Sequence, residues 1–429
     1  MSKKLPRIDP SLLAIVAEGF LSRLSFGIIS FTLPLYAHHL GLSLTEIGFL
    51  ISLNLAVAMA LKPIMGWIAD RSSLKWSYVA SLGLRSLVSL ALAFAAQPWQ
   101  LYSIRIVHGT SRSLRDPAAN ALIAEHGGKK AIASAFAWYS TAKSVAGALG
   151  GALAGTLLTL SGTNFSFIFI VAFVLSVVPI FVVARSVVDQ KVHDDPVIHT
   201  QNTSIDTATS QITTAPKRTT DWIKSKPPLL PFIGLGFLIS STARMLLGLF
   251  PVLAVEYAGL NTTEVGMIGL IAATVRLVAG PLFGWLSDNV SRRLVLLVRS
   301  AANVLSSVIY IVAPNFMGML SGRVVDDAGK AAFRPAWGAL MADMSSFDKR
   351  NRARTMALLS TGEDAGGIVG PILAGFLWNT WGIGVMLGAR VVVAVISEIY
   401  AVTVTHSMME SVDYRLKCSH VARVKTKME

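Results

Sequence analysis

The chain is poor in cysteine, in acid and in charge of any sign. A single cysteine, Cys418, in 429 residues excludes a disulfide framework and a thiolate metal cluster. Charged residues make up only 14% of the chain, against about 25% in ordinary soluble domains, which excludes a soluble enzyme of usual composition. No Gly-x-x-x-x-Gly-Lys-Ser/Thr loop occurs, so energy from ATP is not expected. Neither cofactor nor metal ion is called for. A cleavable signal peptide is not expected either, because the first apolar run is long and passes through a short polar turn into the second.

What is present is hydrophobic sequence, 53% of the residues. It falls into about twelve stretches, near 11–36, 44–68, 76–96, 98–123, 131–160, 165–185, 229–256, 263–287, 293–313, 315–342, 353–378 and 382–405. Each is long enough to cross a hydrocarbon core about 30 Å thick. Backbone groups in lipid must be satisfied within their own segment, so these stretches should be helices. The expected fold is an all-α polytopic membrane protein of twelve transmembrane helices in two six-helix bundles. The bundles span 1–185 and 229–406, a polar linker covers 186–228, and a basic tail runs from 407 to 429.

The net charge of +14 could suggest nucleic acid, but its placement follows membrane topology. Lys3, Lys4 and Arg7 precede the first stretch, Arg71 and Lys75 follow the second, Lys129 and Lys130 the fourth, and Arg292 and Arg293 the eighth. The tenth ends in Lys349-Arg350-Asn351-Arg352, whereas the alternate loops (38–44, 97–100, 160–164, 257–262, 314–315, 378–382) hold no Lys or Arg. The positive-inside rule then puts both termini in the cytoplasm of a multi-pass cell-membrane protein, and no nucleic-acid partner is expected. His38 and His39 fall in the first outer loop and read as solvated.

The chain is also a duplication. Gly66-Trp67-Ile68-Ala69-Asp70 returns 218 residues later as Gly284-Trp285-Leu286-Ser287-Asp288, and the same offset pairs Pro63 with Pro281, Arg105 with Arg323 and Arg112 with Lys330. Two apolar halves related by an internal repeat are the pattern of a transporter with a central site. At the end of the second stretch Gly66, Asp70, Arg71 and Lys75 make a helix exit followed by charge. Gly284, Asp288, Arg292 and Arg293 repeat it after the eighth. Contacts of this kind, an acid against a helix N-terminus and bases against Glu125 or Asp343, can form and break as a unit.

These residues resemble the major facilitator superfamily, whose loop between helices two and three carries Gly-x-x-x-Asp-Arg/Lys-x-Gly-Arg/Lys-Arg/Lys. Ser73 stands where the second glycine is expected. Helix four reads Arg105-Ile-Val-His108-Gly109, similar to the family's Arg-x-x-x-Gly, which is linked to coupling in proton-driven members. Gly366, Gly370, Pro371 and Gly375 in helix eleven are similar to the glycine-proline motif that the antiporters carry in helix five. Here helix five has Gly147, Gly150, Gly151 and Gly155 but no proline. Close small-residue packing explains both segments equally. By motif the chain is nearest the drug:proton antiporter-like branch, and the resemblance implies a cavity lined by helices one, four, seven and ten.

At about 100° per residue, Arg105, His108, Arg112, Arg115 and Asp116 fall within about 100° of one face of helix four; Arg323, Asp326, Asp327, Lys330 and Arg334 do the same on helix ten. A lipid-facing charge costs at least about 2.5–3.5 kcal/mol, so both stripes must face protein or water. Two arrangements satisfy this: a watery cavity, or internal pairs such as Arg323 with Asp327 and Asp326 with Lys330. Arg23 and Arg244 add to a positive surplus that Glu18 does not cancel, and such a surplus attracts anions. Lys62, with Glu363 or Asp364, is a candidate inter-bundle pair, and Lys143 occupies the position equivalent to Glu363.

The expected function is a secondary active transporter of a small solute by alternating access. Proton-coupled efflux by a monomer comes first, and uptake or exchange of an organic anion is the alternative. A membrane receptor or scaffold fits less well, because it gains nothing from charges that are costly in lipid.

Overall fold

The computed structural model of the chain describes residues 10–71, 73–126, 132–187, 229–289, 292–346 and 352–403, and among these there is no strand. The first half gives α1 (Pro10–His39), α2 (Leu44–Arg71), α3 (Leu74–Phe94), α4 (Pro98–His126), α5 (Ile132–Leu160) and α6 (Phe165–Ser186). The second gives α7 (Leu229–Leu247), α8 (Thr262–Asn289), α9 (Arg292–Val312), α10 (Phe316–Ser346) and α11 (Arg352–Trp381), then α12 (Ile383–Thr403). Eight of them are long and apolar enough to cross a membrane by composition. The other four, α4, α9, α10 and α11, carry charge or run shorter in their apolar part. Residues 188–228 of the linker and the tail at 407–429 lie outside the described residues.

One boundary departs from expectation. The seventh apolar stretch, 229–256, is not one helix: α7 stops at Leu247, and a three-residue helix (Phe250–Val252) and a π-helical turn (Leu253–Tyr257) follow. Pro251 is the reason. It has no N–H to give the Leu247 carbonyl, and its ring clashes with that carbonyl in a continuous helix. Gly248, just before, leaves the space that Ile51 of α2 fills; a Cβ there would meet Ile51 at 2.8 Å.

The end of the molecule bearing the loops at 40–43, 161–164 and 258–261 is called distal here, and the end bearing Pro10 proximal. Within the first half α1 packs on α5 and α6, α3 on α4 and α6, and α2 on α4; within the second, α7 packs on α11, and α10 on both α8 and α9. Between halves, α2 meets α11 and α5 meets α8. Those two seams close at the distal end through glycine. A Cβ on Gly48 would lie 2.2 Å from the Pro371 carbonyl, one on Gly375 2.2 Å from that of Leu44, and one on Gly155 2.1 Å from that of Thr262. Hydrogen bonds run along them: Ser52 donates to the Ile368 carbonyl at 2.6 Å and Thr262 to that of Gly155 at 2.9 Å.

The apolar cores follow the same division. One continuous cluster at the distal end draws on both halves, including Ile28, Ile47, Leu50, Leu249, Val252 and Ile268. Toward the proximal end the core splits. Ile15, Tyr78, Leu122 and Val183 form one cluster in the first half, and Leu229, Phe232, Trp337 and Leu359 form a separate one in the second. Hydrophobic burial thus holds the halves together distally and holds each half to itself proximally.

Candidate functional site

Buried charge sits between these cores. In α4, Arg105 is buried and turned against α2, its Nε donating to the Leu50 carbonyl at 3.1 Å and its Nη2 to that of Ile51 at 3.0 Å. Its Nη1 lies 3.2 Å from His108 Nδ1, and the His108 ring meets Phe26 edge-on at 5.4 Å. Arg115, one turn beyond Arg112, is buried and donates to Glu18 of α1 at 2.8 Å and to the Tyr139 hydroxyl of α5 at 3.1 Å. Glu18 is fully buried and also accepts from the Tyr78 hydroxyl of α3. A buried carboxylate needs such partners, since an unpaired charge out of water costs several kcal/mol. Arg112 is different: its side chain is 38% exposed, 3.4 Å from Asp116, which is itself 41% exposed, and 3.3 Å from Asn54 Oδ1.

This sorts the helix-four stripe and corrects part of its reading. Arg105 and Arg115 do not present their charge to an open space. Arg105 is taken up by backbone carbonyls of α2, and Arg115 by Glu18. Arg112 and Asp116 are the members that reach water. Glu18 and Arg23 diverge as their spacing requires: Arg23 stacks on Phe26, 4.7 Å from the ring centre, and Arg85 of α3 stacks on the same ring at 5.0 Å.

In α10 both acids are fully buried. Asp326 accepts from Lys330 at 2.5 Å and from Arg390 of α12 at 2.6 Å, with Arg299 of α9 at 3.5 Å. Asp327 forms ion pairs with Arg276 of α8 at 3.1 Å and Arg323 at 3.6 Å, and accepts from Lys330 at 3.3 Å. The pairs of Arg323 with Asp327 and of Asp326 with Lys330, expected from four-residue spacing, are both present. Arg390 ties the network to α7 and α9: it donates to the Thr242 carbonyl at 3.2 Å, to Ser307 at 2.9 Å and to Ser306 at 3.3 Å.

Arg85, Arg276, Arg299 and Arg390 were not singled out in sequence, nor were Tyr78 and Tyr139. The signal was available, because a lone cation in an apolar helix is costly wherever it falls. It was lost by weighting the helices the resemblance assigned to the cavity. Other expected residues fall as follows. Lys143 lies over the Tyr139 ring at 4.7 Å, and Arg244 lies beside Gly367. Lys62 is exposed, and Glu363 and Asp364 are partly buried. Pro371 and Gly375 sit at the α2 seam, but Gly366 and Gly370 do not. Those two pack on α7 within their own half, with added Cβ atoms at 2.2 Å from the Phe237 carbonyl and 2.5 Å from that of Ser241. The reason is register: glycines four apart present one face, and α7 covers it. His38 is not simply solvated, since its Nε2 lies 3.8 Å from Glu256 across the distal seam, and His39 packs on Phe165 at 5.2 Å. The side chains of Asp70, Arg71, Asp288, Arg292, Arg293 and Arg334, and the surroundings of Gly66 and Gly284, lie outside the described residues.

A helical chain with paired seams between its halves and buried carboxylate networks has the build of a membrane transporter. The Major Facilitator Superfamily profile matches residues 18–261 and 232–409, and the chain belongs to that family. Among curated relatives, Multidrug resistance protein MdtG of Escherichia coli is 25% identical over 399 residues, covering 89% of this chain and 91% of that protein. Putative multidrug resistance protein MdtD of Yersinia enterocolitica is 30% identical over 156 residues, 36% of this chain and 33% of that protein. A triacylglyceride transporter of Mycobacteroides abscessus is 32% identical over 118 residues, 27% of this chain, which spans 21% of that protein's length. Among solved structures, a bacterial homologue of the human lysosomal transporter Spinster, inward-facing and occupied, aligns with a TM-score of 0.72 at 16% identity over 93% of this chain and 97% of that one. The nucleoside transporter NupG aligns with a TM-score of 0.68 at 15% identity over 92% and 98%. At such identities these two define the fold alone.

Proposed function

We propose that the protein is a secondary active transporter of twelve membrane spans in two six-helix bundles, exporting a small solute in exchange for protons. The observation that carries alternating access is the division of the core: one cluster spans both halves distally, and separate clusters serve each half proximally. A molecule sealed at one end and divided at the other is what a rocking mechanism requires of one of its states. The distribution of Lys and Arg supports a cytoplasmic proximal end with both termini on that side. The open state is then inward-facing. Export is supported by relatives that match over most of their length and are named multidrug resistance proteins, the Escherichia coli protein among them.

In this reading the residues take separate roles. The repeated clusters Gly66, Asp70, Arg71 and Lys75, and Gly284, Asp288, Arg292 and Arg293, clasp the cytoplasmic end when it closes. Lys62 with Glu363 or Asp364 joins the bundles in that state. Asp327 is the proposed proton carrier, because its partner Arg276 is 39% exposed, whereas Asp326 is enclosed by Arg390, Arg299 and Lys330. The test is transport by the purified chain, as the monomer, in sealed vesicles. Flux that follows an imposed pH gradient, and that falls to passive leak in Asp327→Asn while exchange without a gradient persists, supports the reading. Equal flux with and without the gradient overturns proton coupling.

A further inference from the structure

We infer that the transported solute carries an anionic group, held across the seam between halves by Arg23 and Arg112 from the first and Arg276 from the second. This rests on the alternating-access reading and names the substrate class for it. Arg23 is the key residue. Among the described residues it has no ion-pair partner, and its neighbours are the Phe26 ring at 4.7 Å and the backbone of Gly147. Gly147 makes the placement possible, since a Cβ there would lie 3.1 Å from Arg23 Nε. The guanidinium thereby lies on α5, the helix that meets α8 of the other half.

The α5–α8 seam sets Gly155 against Thr262 and Ala152 against Gly266, so its antiparallel register brings Arg276 within about two turns of the level of Gly147 and Arg23, while Arg112 and Asp116 stand on α4 of Arg23's own half. Asp116 is already shared by Arg112 at 3.4 Å and Arg115 at 3.8 Å, and Lys143 adds a further positive charge toward it. Arg276 spans 3.1 Å to Asp327, which it shares with Lys330 and Arg323. Cations from two halves thus face one another with fewer acids than bases between them. Water screens like charges poorly in such a site, so they repel, and an anion between them replaces repulsion by attraction. Guanidiniums suit this task because each offers two parallel donors to a carboxylate, sulfonate or phosphonate. The half-exposed side chains of Arg112 and Arg276, 38% and 39%, leave an approach from water. An anion gripped by both halves also draws them together, so binding itself favours closure.

The experiment measures thermal unfolding of the purified chain in detergent against phenylphosphate, benzenesulfonate, neutral benzyl alcohol and benzylammonium. Phenylphosphate or benzenesulfonate should raise the melting temperature and the other two should not. Affinity for the anion should fall at least about tenfold in Arg23→Gln and in Arg276→Gln. Arg23→Lys should weaken it less, since charge remains and the fork is lost. Should a glutamine variant fail to fold, Arg23→Lys and Arg276→Lys carry the test, and wild-type affinity in both overturns the site. Stabilisation by benzylammonium equal to that by the anions also overturns it. Binding is read without a gradient, so anion affinity with no gradient-driven flux removes proton coupling and keeps the site. Flux with no anion affinity does the reverse.

Discussion

The two halves descend from one repeat yet neutralise their buried charge in different ways. In the second half, Asp326 and Asp327 gather Arg276, Arg299, Arg323, Lys330 and Arg390 around two adjacent carboxylates. In the first, the repeat offset puts His108 opposite Asp326 and Gly109 opposite Asp327. With no acid there, Arg105 is held by α2 carbonyls instead of a carboxylate. Glu18 and Asp116, on other turns and other helices, take the role for Arg115 and Arg112. The second half is a closed network that welds α8, α9, α10 and α12. The first is looser and leaves Arg23 uncompensated. Duplication preserved the helices, and the acids were then placed separately, giving one half whose cations converge on two adjacent carboxylates and one that leaves Arg23 without an acid of its own.

That comparison is broken most strongly at Asp326. Asp326→Ala leaves Arg390 and Arg299 in the interior without their carboxylate, and losing one partner of a buried pair costs roughly 3–5 kcal/mol. The expected outcome is little folded protein, and a large drop in melting temperature in whatever folds. Glu18→Gln is the matching change in the first half and should cost less, roughly 1.5–3 kcal/mol, because glutamine still accepts from Arg115 and Tyr78 and Asp116 remains nearby. Equal losses in the two variants, compared by thermal unfolding, would contradict the contrast.

A third change addresses the seam. Gly48→Ala places a methyl 2.2 Å from the Pro371 carbonyl, so the distal contact must move apart, at roughly 1–3 kcal/mol. The expected effect is a shift of conformational balance of about 5- to 150-fold, read as slowed transport. Between the repeated clusters, Asp70→Asn should reduce transport more than Asp288→Asn, because only Asp70 is followed directly by a base, Arg71. Initial rates at matched expression decide this, and equal rates would remove the asymmetry. The smallest effect is expected at the distal ion pair. His38→Ala should change stability by under about 1 kcal/mol, since a partly exposed pair at 3.8 Å is worth little.

How much of this was legible in sequence depends on the range of each interaction. Helix positions were legible because hydropathy and the Gly66/Gly284 repeat are local signals. So were the pairs within α10, where four-residue spacing puts Asp326 beside Lys330 and Arg323 beside Asp327. Pro251 also signalled the end of α7, but the continuous apolar run outweighed it. Partners on other helices had no local sign. Nothing in periodicity joins Arg390 to Asp326, 64 residues earlier, or Glu18 to Arg115, 97 residues later. Helix-four polarity showed that its charges needed partners, but their identity rested on tertiary packing, as did the passage of Arg23 over Gly147.

The central claim is that the two ends open and close in opposition, and distances across the seams test it most directly. With Cys418→Ser as background, spin labels at Ile64→Cys with Leu282→Cys report on the proximal end, and labels at Phe49→Cys with Phe376→Cys on the distal end; all four positions are exposed. In vesicles with a proton gradient imposed, a second population should arise in which the proximal distance shortens and the distal one lengthens. Proximal and distal distances that change in the same direction, or that stay fixed while solute is transported, would contradict the account.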